Sequence, residues 1–393
     1  MDKKQENFLK LLRNGLNNTN EFVDCSVDDM EQLALTHICV PFIYYGAKNA
    51  GLEIPENWKK YLTVSAYKNY QNMQTQTNII AALKDADIPC AVIKGSTVSV
   101  NYPEPMARTL GDIDILVKEE DYERTVDLLC GVDYEDESYE DHKFHYKYTV
   151  NGVAVEIHKY VTEYTDDEYG KHIALSMEKA LDNIVEKRIE DFVFPSLNDE
   201  FLAVTLLLHK QRHFFENRMP LRMLCDWAMF VKSVDTQKWN DVVYPFVEKM
   251  GLAKFCDAVT ATCNRYLYLD CGDKIKCDVS DATTDRIIAE FFDGGVIKGE
   301  NETSQSIGTS YSQNRAKTKG KIKPFIMLLN DIARNEFDLA KKSDVFLPLF
   351  WIYIPVRYCF RFLTGKRSKL SFGIFNETAE RKEYLIKELN LRD

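Results

Sequence analysis

No C-x-x-C pair occurs among the ten cysteines of this 393-residue chain, which stand at 25, 39, 90, 130, 225, 256, 263, 271, 277 and 359. That absence excludes zinc-ribbon and thioredoxin-type signatures, and scattered cysteines with mostly apolar neighbours fit reduced thiols in a cytoplasmic protein. The first residues, MDKKQENFLKLLRNGLNN, hold no continuous apolar stretch and predict an amphipathic helix rather than a secretory leader. No apolar run reaches the roughly 20 residues a membrane-crossing helix needs. Positive charge is also short. With 50 basic and 61 acidic residues the net charge is −11, which disfavours a nucleic-acid substrate, because its backbone is bound by basic surfaces. There is no internal repeat and no long low-complexity tract. What remains, 45% apolar and 28% charged residues, is ordinary globular composition with room for two or three domains.

Hydrophobic periodicity predicts an α+β fold, a small mixed or antiparallel sheet with flanking helices and helical regions at both ends. The expected divisions are an N-terminal helical region over 1–75, a mixed core over 76–195, a helical domain over 196–295, and a polar loop with C-terminal helices over 296–393. A long helix is expected from Tyr61 to Ala86, since Ile79, Ile80 and Leu83 recur at helical spacing. Strands follow at Ala91–Lys94 and Ile113–Val117, with a helix over Asp121–Cys130. Two alternating runs, Phe144–Val150 and Val153–His158, are joined by Asn151-Gly152, the strongest short hairpin signal. Asn301–Gly320 is polar, lacks hydrophobic periodicity and is expected to be a loop.

The stretch IKGSTVSVNYPEPMARTLGDIDILV, residues 93–117, carries the densest chemistry. Successive side chains of a strand point to opposite faces, so Asp112 and Asp114 share one face while Ile113 and Ile115 share the other. Two neighbouring acids on a buried strand repel each other and lose solvation unless cations sit between them. Upstream, Gly95-Ser96 offers backbone N–H groups to a phosphate. By the same parity Glu156 and His158 lie on the polar face of an antiparallel strand. If that strand neighbours the one holding Asp114, Glu156 faces the same site. Carboxylates, cation and phosphate cradle together point to phosphoryl or nucleotidyl transfer.

In its glycine-serine pair, spacer, acid–apolar–acid strand and later third acid, the chain resembles the nucleotidyltransferase superfamily that shares the fold of DNA polymerase beta. Gly95-Ser96, Asp112-Ile113-Asp114 and Glu156 carry this resemblance, with a spacer of 15 residues, slightly longer than usual. It looks closer to an uncharacterised bacterial nucleotidyltransferase family often found near surface-polysaccharide or peptide-biosynthesis genes. The matching features are Lys94-Gly95, Tyr102-Pro103-Glu104-Pro105, Arg108, Asp112-Ile113-Asp114 and Glu156-Ile157-His158, then His209, Arg222 and Asp226 in the helical part. The similarity covers roughly residues 30–235. It implies an NTP substrate, Mg²⁺ or Mn²⁺ held by Asp112, Asp114 and Glu156, and phosphate contacts from Lys94, Gly95, Ser96 and Arg108. It also offers His158, His209 and Asp226 as substrate-orienting residues. The acceptor, a small molecule, a sugar-like metabolite, a peptide or a protein, is left open.

Each candidate also has a structural reading. Lys94 and Arg108 suit phosphate, and equally an ion pair with Asp112 or Asp114. Asp226, four residues after Arg222, suits a helix ion pair. If Glu156 takes a proton from the acceptor, its pKa should lie above those of the aspartates. His142, His145 and His158 form no convincing zinc set, and His209 with His213 lacks the glutamate of H-E-x-x-H. The run VFLPLFWIYIPV, 345–356, contains Pro348 and Pro355 and is followed by Arg357, Arg361, Lys366 and Arg367. It suits packing against the core, or a weak membrane-surface or protein contact through 345–363. At the level of the whole chain, an active enzyme competes with a catalytically silent nucleotide- or partner-binding module of the same fold. The intact acid pair favours the enzyme.

Overall fold

A computed structural model describes residues 1–130, 140–141, 145–161, 167–297, 302–318, 320–364 and 371–392. His142, Lys366 and Arg367 lie outside these residues. The chain divides into two compact units, one comprising 1–210 with 220–284, the other 211–219 with 285–393.

The first unit is built on a mixed sheet. Its strands are β1 (Cys90–Val92), β2 (Ile113–Val117), β3 (Glu140–Asp141), β4 (His145–Val150), β5 (Val153–His158), β6 (Ile184–Ile189) and β7 (Phe192–Leu197), in the order β3-β4-β5-β2-β1-β7-β6. Asn151 and Gly152 both take positive φ, 52° and 72°, and close β4 onto β5 as a tight hairpin. β5 is antiparallel to β4 but parallel to β2, with Asp114 opposite Glu156. β6 and β7 are a second hairpin, missed by the sequence reading; β7 runs parallel to β1 and extends the sheet. Its turn holds Glu190-Asp191, with Glu190 at φ 51°, so the glycine that usually flags such a turn is absent.

One face of the sheet is the core. Ile113, Ile115, Val117, Val155, Ile157 and Phe194 pack there against Met73, Ile79 and Leu83 of the helix Glu56–Asp85. Burying each such side chain contributes about 1.5–3 kcal/mol. The sum offsets the cost of desolvating charged groups on the opposite face of the same strands. Period-two alternation therefore does two things at once: it anchors β2 and β5, and it aims their polar residues at a common surface.

The second unit is helical. Its buried pairs are internal: Arg381 Nε and Lys382 Nζ each lie 2.6 Å from the carboxylate of Glu290. The expected loop over Asn301–Gly320 is instead largely a helix, Glu302–Ala316. It shows no hydrophobic period because its buried face is made of Ser304, Gly308, Thr309, Ser312 and Asn314. A Cβ at Gly308 would lie 2.9 Å from the Phe375 carbonyl oxygen of the helix Phe372–Leu389. The hydroxyls of Thr309 and Ser312 bond to carbonyls of their own helix, Gln305 and Thr309. Small residues thus let two backbones approach closely, a packing mode that a search for large apolar residues overlooks.

Most of the run 345–356 is helical. Leu347–Leu363 is one helix that continues through Pro355. Leu347 and Phe350 are buried with Ala333 and Ala340, while Leu349, Ile352 and Val356 face solvent. Among the described residues, no helix is long and apolar enough to cross a membrane.

Candidate active site

The loop leading into β2 is held by amides from one face of the helix Glu56–Asp85. Asn69 Nδ2 donates to the carbonyls of Met106 (2.7 Å) and Arg108 (3.0 Å), and its Oδ1 accepts from Leu110 N–H at 2.8 Å. Asn72 donates to the Gly111 carbonyl at 2.7 Å. Buried backbone groups need partners, and these amides supply them immediately before Asp112. Gln76, one turn further on, accepts the Ser96 hydroxyl at 2.7 Å. The sequence reading missed all three. The available signal was their spacing, three polar residues at i, i+3 and i+7 on the face that also carries Met73.

On the polar face of the sheet, Asp114 and His158 are buried and Asp112 is exposed. Lys94 Nζ lies 2.6 Å from Asp114 Oδ1. His158 Nε2 lies 2.9 Å from the same oxygen and 3.4 Å from Glu156 Oε2. Lys147, on β4, reaches Glu156 Oε1 at 3.0 Å. Ligand atoms of Asp114, Glu156 and His158 all fall within 4.8 Å of one another, close enough to hold a metal ion. This group differs from the expected ligand set of Asp112, Asp114 and Glu156 in containing an imidazole and leaving Asp112 at the margin.

Charge explains the protonation pattern. Burial opposes ionisation of Asp114, but the Lys94 ammonium and the His158 hydrogen bond outweigh it and hold the carboxyl below its ordinary value. Glu156 is held well below the usual carboxylate range for the same reason: His158, Lys94 and Lys147 overcome its burial. Asp112 goes the other way, pushed up chiefly by the Asp114 carboxylate. The condition for Glu156 as proton acceptor, a pKa above those of the aspartates, is therefore not met.

Gly95 sits at φ 61°, ψ −105°, a conformation that strains any residue with a Cβ. It turns the chain out of β1 and into the short helix Ser96–Ser99. Ser96 is buried, and its hydroxyl is donated to Gln76 rather than presented outward.

Arg108 takes a different place from a free phosphate contact. Its Nε and Nη2 lie 2.7 Å from Asp226 Oδ1 and Oδ2, and Tyr102 donates to Asp226 Oδ1 at 2.7 Å. Asp226 is thus paired with Arg108, not with Arg222 four residues earlier as the helical spacing suggested. Arg222 Nη1 instead donates to the Thr109 carbonyl at 2.7 Å. Both candidates carry a planar guanidinium, so position decides: the fold sets two parallel N–H groups of Arg108 on Asp226 and turns Arg222 to a loop carbonyl. His209 lies half-buried on the helix Asp199–Glu216, outside the group formed by Asp114, Glu156 and His158.

Residues 26–268, more than half of the chain, match the sequence model of a family described as an uncharacterised nucleotidyltransferase. The chain belongs to this family. Membership brings a general nucleotidyl-transfer role and an NTP substrate. The matched span contains every residue of the site described above. No curated protein matches the chain.

Proposed function

We propose that this protein transfers a nucleoside monophosphate from an NTP to a nucleophilic oxygen of a non-nucleic-acid acceptor: a small molecule, a sugar-like metabolite, a peptide or a protein. The observation that carries the reading is the convergence of Asp114, Glu156 and His158 on one sheet face, with Asp112 beside them. In the reaction the acceptor oxygen bonds to the α-phosphorus, the bond to the β-phosphate oxygen breaks, and pyrophosphate leaves with the electron pair. The acceptor proton passes to water at the exposed side, where Asp112 meets solvent.

The donor set fits a divalent cation, Mg²⁺ or Mn²⁺. Carboxylate oxygens suit both, and the raised pKa of Asp112 marks negative charge that the Lys94 and His158 contacts leave uncompensated. Asp114 and Glu156 would hold it, with Asp112 and His158 at its edge. Bound there, the ion would neutralise phosphate charge and template the triphosphate. The chain's own residues do the rest. Gly95 and Ser96 bring backbone N–H groups to the phosphates, and Lys94, standing on Asp114, is the cation nearest to receive them. Arg108 and Asp226 fix the loop that aims Asp112.

The test is incubation with each labelled NTP, Mg²⁺ and a lysate of the source cell, followed by a search for labelled products, including the protein itself. Asp112→Asn and Asp114→Asn should each abolish product while the folded far-UV signal persists. Wild-type turnover in both variants overturns the reading. Cation-dependent nucleotide binding with no product from any acceptor leaves the silent binding module.

A further inference from the structure

We propose that the helix Leu347–Leu363 seats the protein on an anionic lipid surface, lying in the headgroup plane rather than crossing it. Val345 in the turn before the helix, then Leu349, Ile352, Val356, Phe360 and Leu363, are each more than 60% exposed. Each follows the last by three or four residues, so they line one stripe about five turns long. The opposite side is already used: Leu347 and Phe350 are buried with Ala333, Ala340, Phe337 and Ile354. The helix is therefore held by one face and presents the other. Apolar residues scattered singly over a surface are unremarkable, but a continuous row of large ones marks a contact.

Charge selects the occupant. The whole chain carries −11, yet between Ala340 and Leu370 the sequence holds seven basic residues and a single acid, Asp344. An isologous dimer through this stripe would set two such positive segments against each other. An anionic bilayer complements both features, apolar stripe and basic flank, at once. Arg357 is ion-paired with Glu336 and lies over the Phe337 ring, so the charge left for phosphate beside the stripe is that of Arg361, half-buried one turn on, whose alkyl stem can lie along the helix. Tyr353, half exposed one turn from Leu349, has the ring chemistry that settles at a membrane–water boundary. No described helix can span a bilayer, which limits the contact to the surface.

The test uses the full chain with phosphatidylcholine vesicles, with and without phosphatidylglycerol. Wild type should co-sediment with the anionic vesicles and release at high salt. The triple variant Leu349→Ser, Ile352→Ser, Val356→Ser should lose at least tenfold in bound fraction, and Arg361→Gln should lose part of it. Leu349, Ile352 and Val356 are exposed, so the far-UV signal of the triple variant should be unchanged. Failure of wild type to bind anionic vesicles, or equal binding by wild type and triple variant, overturns the proposal. So does concentration-dependent self-association of wild type, without vesicle binding, that the triple variant abolishes; that outcome assigns the stripe to a second copy of the chain.

Discussion

Arg108 and Asp226 meet through two parallel hydrogen bonds of 2.7 Å each, although 118 positions separate them in sequence. Both are buried, and the pair ties the loop before β2 to the helix Leu221–Ser233. Removing one partner leaves the other charged and desolvated. Arg108→Ala or Asp226→Ala should therefore cost about 3–5 kcal/mol, and Arg108→Lys should recover only part of this because it lacks the fork. Replacing both together, Arg108→Met with Asp226→Leu, should cost less than the worse single change. Urea unfolding of the four variants checks it. Additive costs in the double variant would show that the two side chains do not act as a pair.

His37 predicts an acid-sensitive step in stability. It is fully buried, and burial pushes its pKa down to about 4. Its Nδ1 accepts from the Leu221 N–H at 3.4 Å, a bond that a proton on Nδ1 would destroy. The unfolded chain binds that proton near pH 6.5 and the folded chain does not until about pH 4. Folded stability is therefore complete above pH 6.5, falls as pH drops from 6.5 to 4, and levels off below. The drop is about 3 kcal/mol for the single group. Urea midpoints of wild type and His37→Gln between pH 7.5 and 4 isolate it: the wild-type curve should fall more steeply. Parallel curves would mean that His37 takes its proton in the folded state.

Gly308 should tolerate no larger side chain. In a helix interior, alanine is ordinarily favoured over glycine by about 1 kcal/mol. Here the Cβ would meet the Phe375 carbonyl oxygen at 2.9 Å and Thr378 Cβ at 3.2 Å. Crowding against backbone outweighs the propensity gain, so Gly308→Leu should destabilise by about 1–3 kcal/mol and Gly308→Ala should gain nothing. Thermal unfolding of the three proteins decides. A rise in Tm for Gly308→Ala would mean that the two helices can separate at no cost.

The candidate site was partly legible along the chain. Strand parity alone puts Asp112 and Asp114 on one face, and puts Glu156 and His158 on a common face of a second strand, because the alternation is a property of the extended backbone. It could not say that β5 would lie beside β2, nor that Asp114 would stand opposite Glu156, since register between distant strands depends on everything packed beneath them. Local rules misled twice. The i, i+4 spacing offered Arg222 to Asp226, but the fold sets Arg108 on that carboxylate and turns Arg222 to the Thr109 carbonyl. The polar run 302–316 lacked a hydrophobic stripe, yet folds as a helix because small residues there close on another backbone.

By itself, then, the sequence determined what backbone geometry enforces over a few residues: the polar faces of β2 and β5 that carry Asp114 and Glu156, the Asn151-Gly152 turn, the amphipathic helices and the lack of an apolar run long enough to span a membrane. Tertiary structure alone decided which cations stand against those acids, which arginine holds Asp226, and which side of Leu347–Leu363 meets solvent. The division follows from distance. Periodicity is set by bonded neighbours, whereas the partner of a buried charge is whichever group the packed core delivers to it.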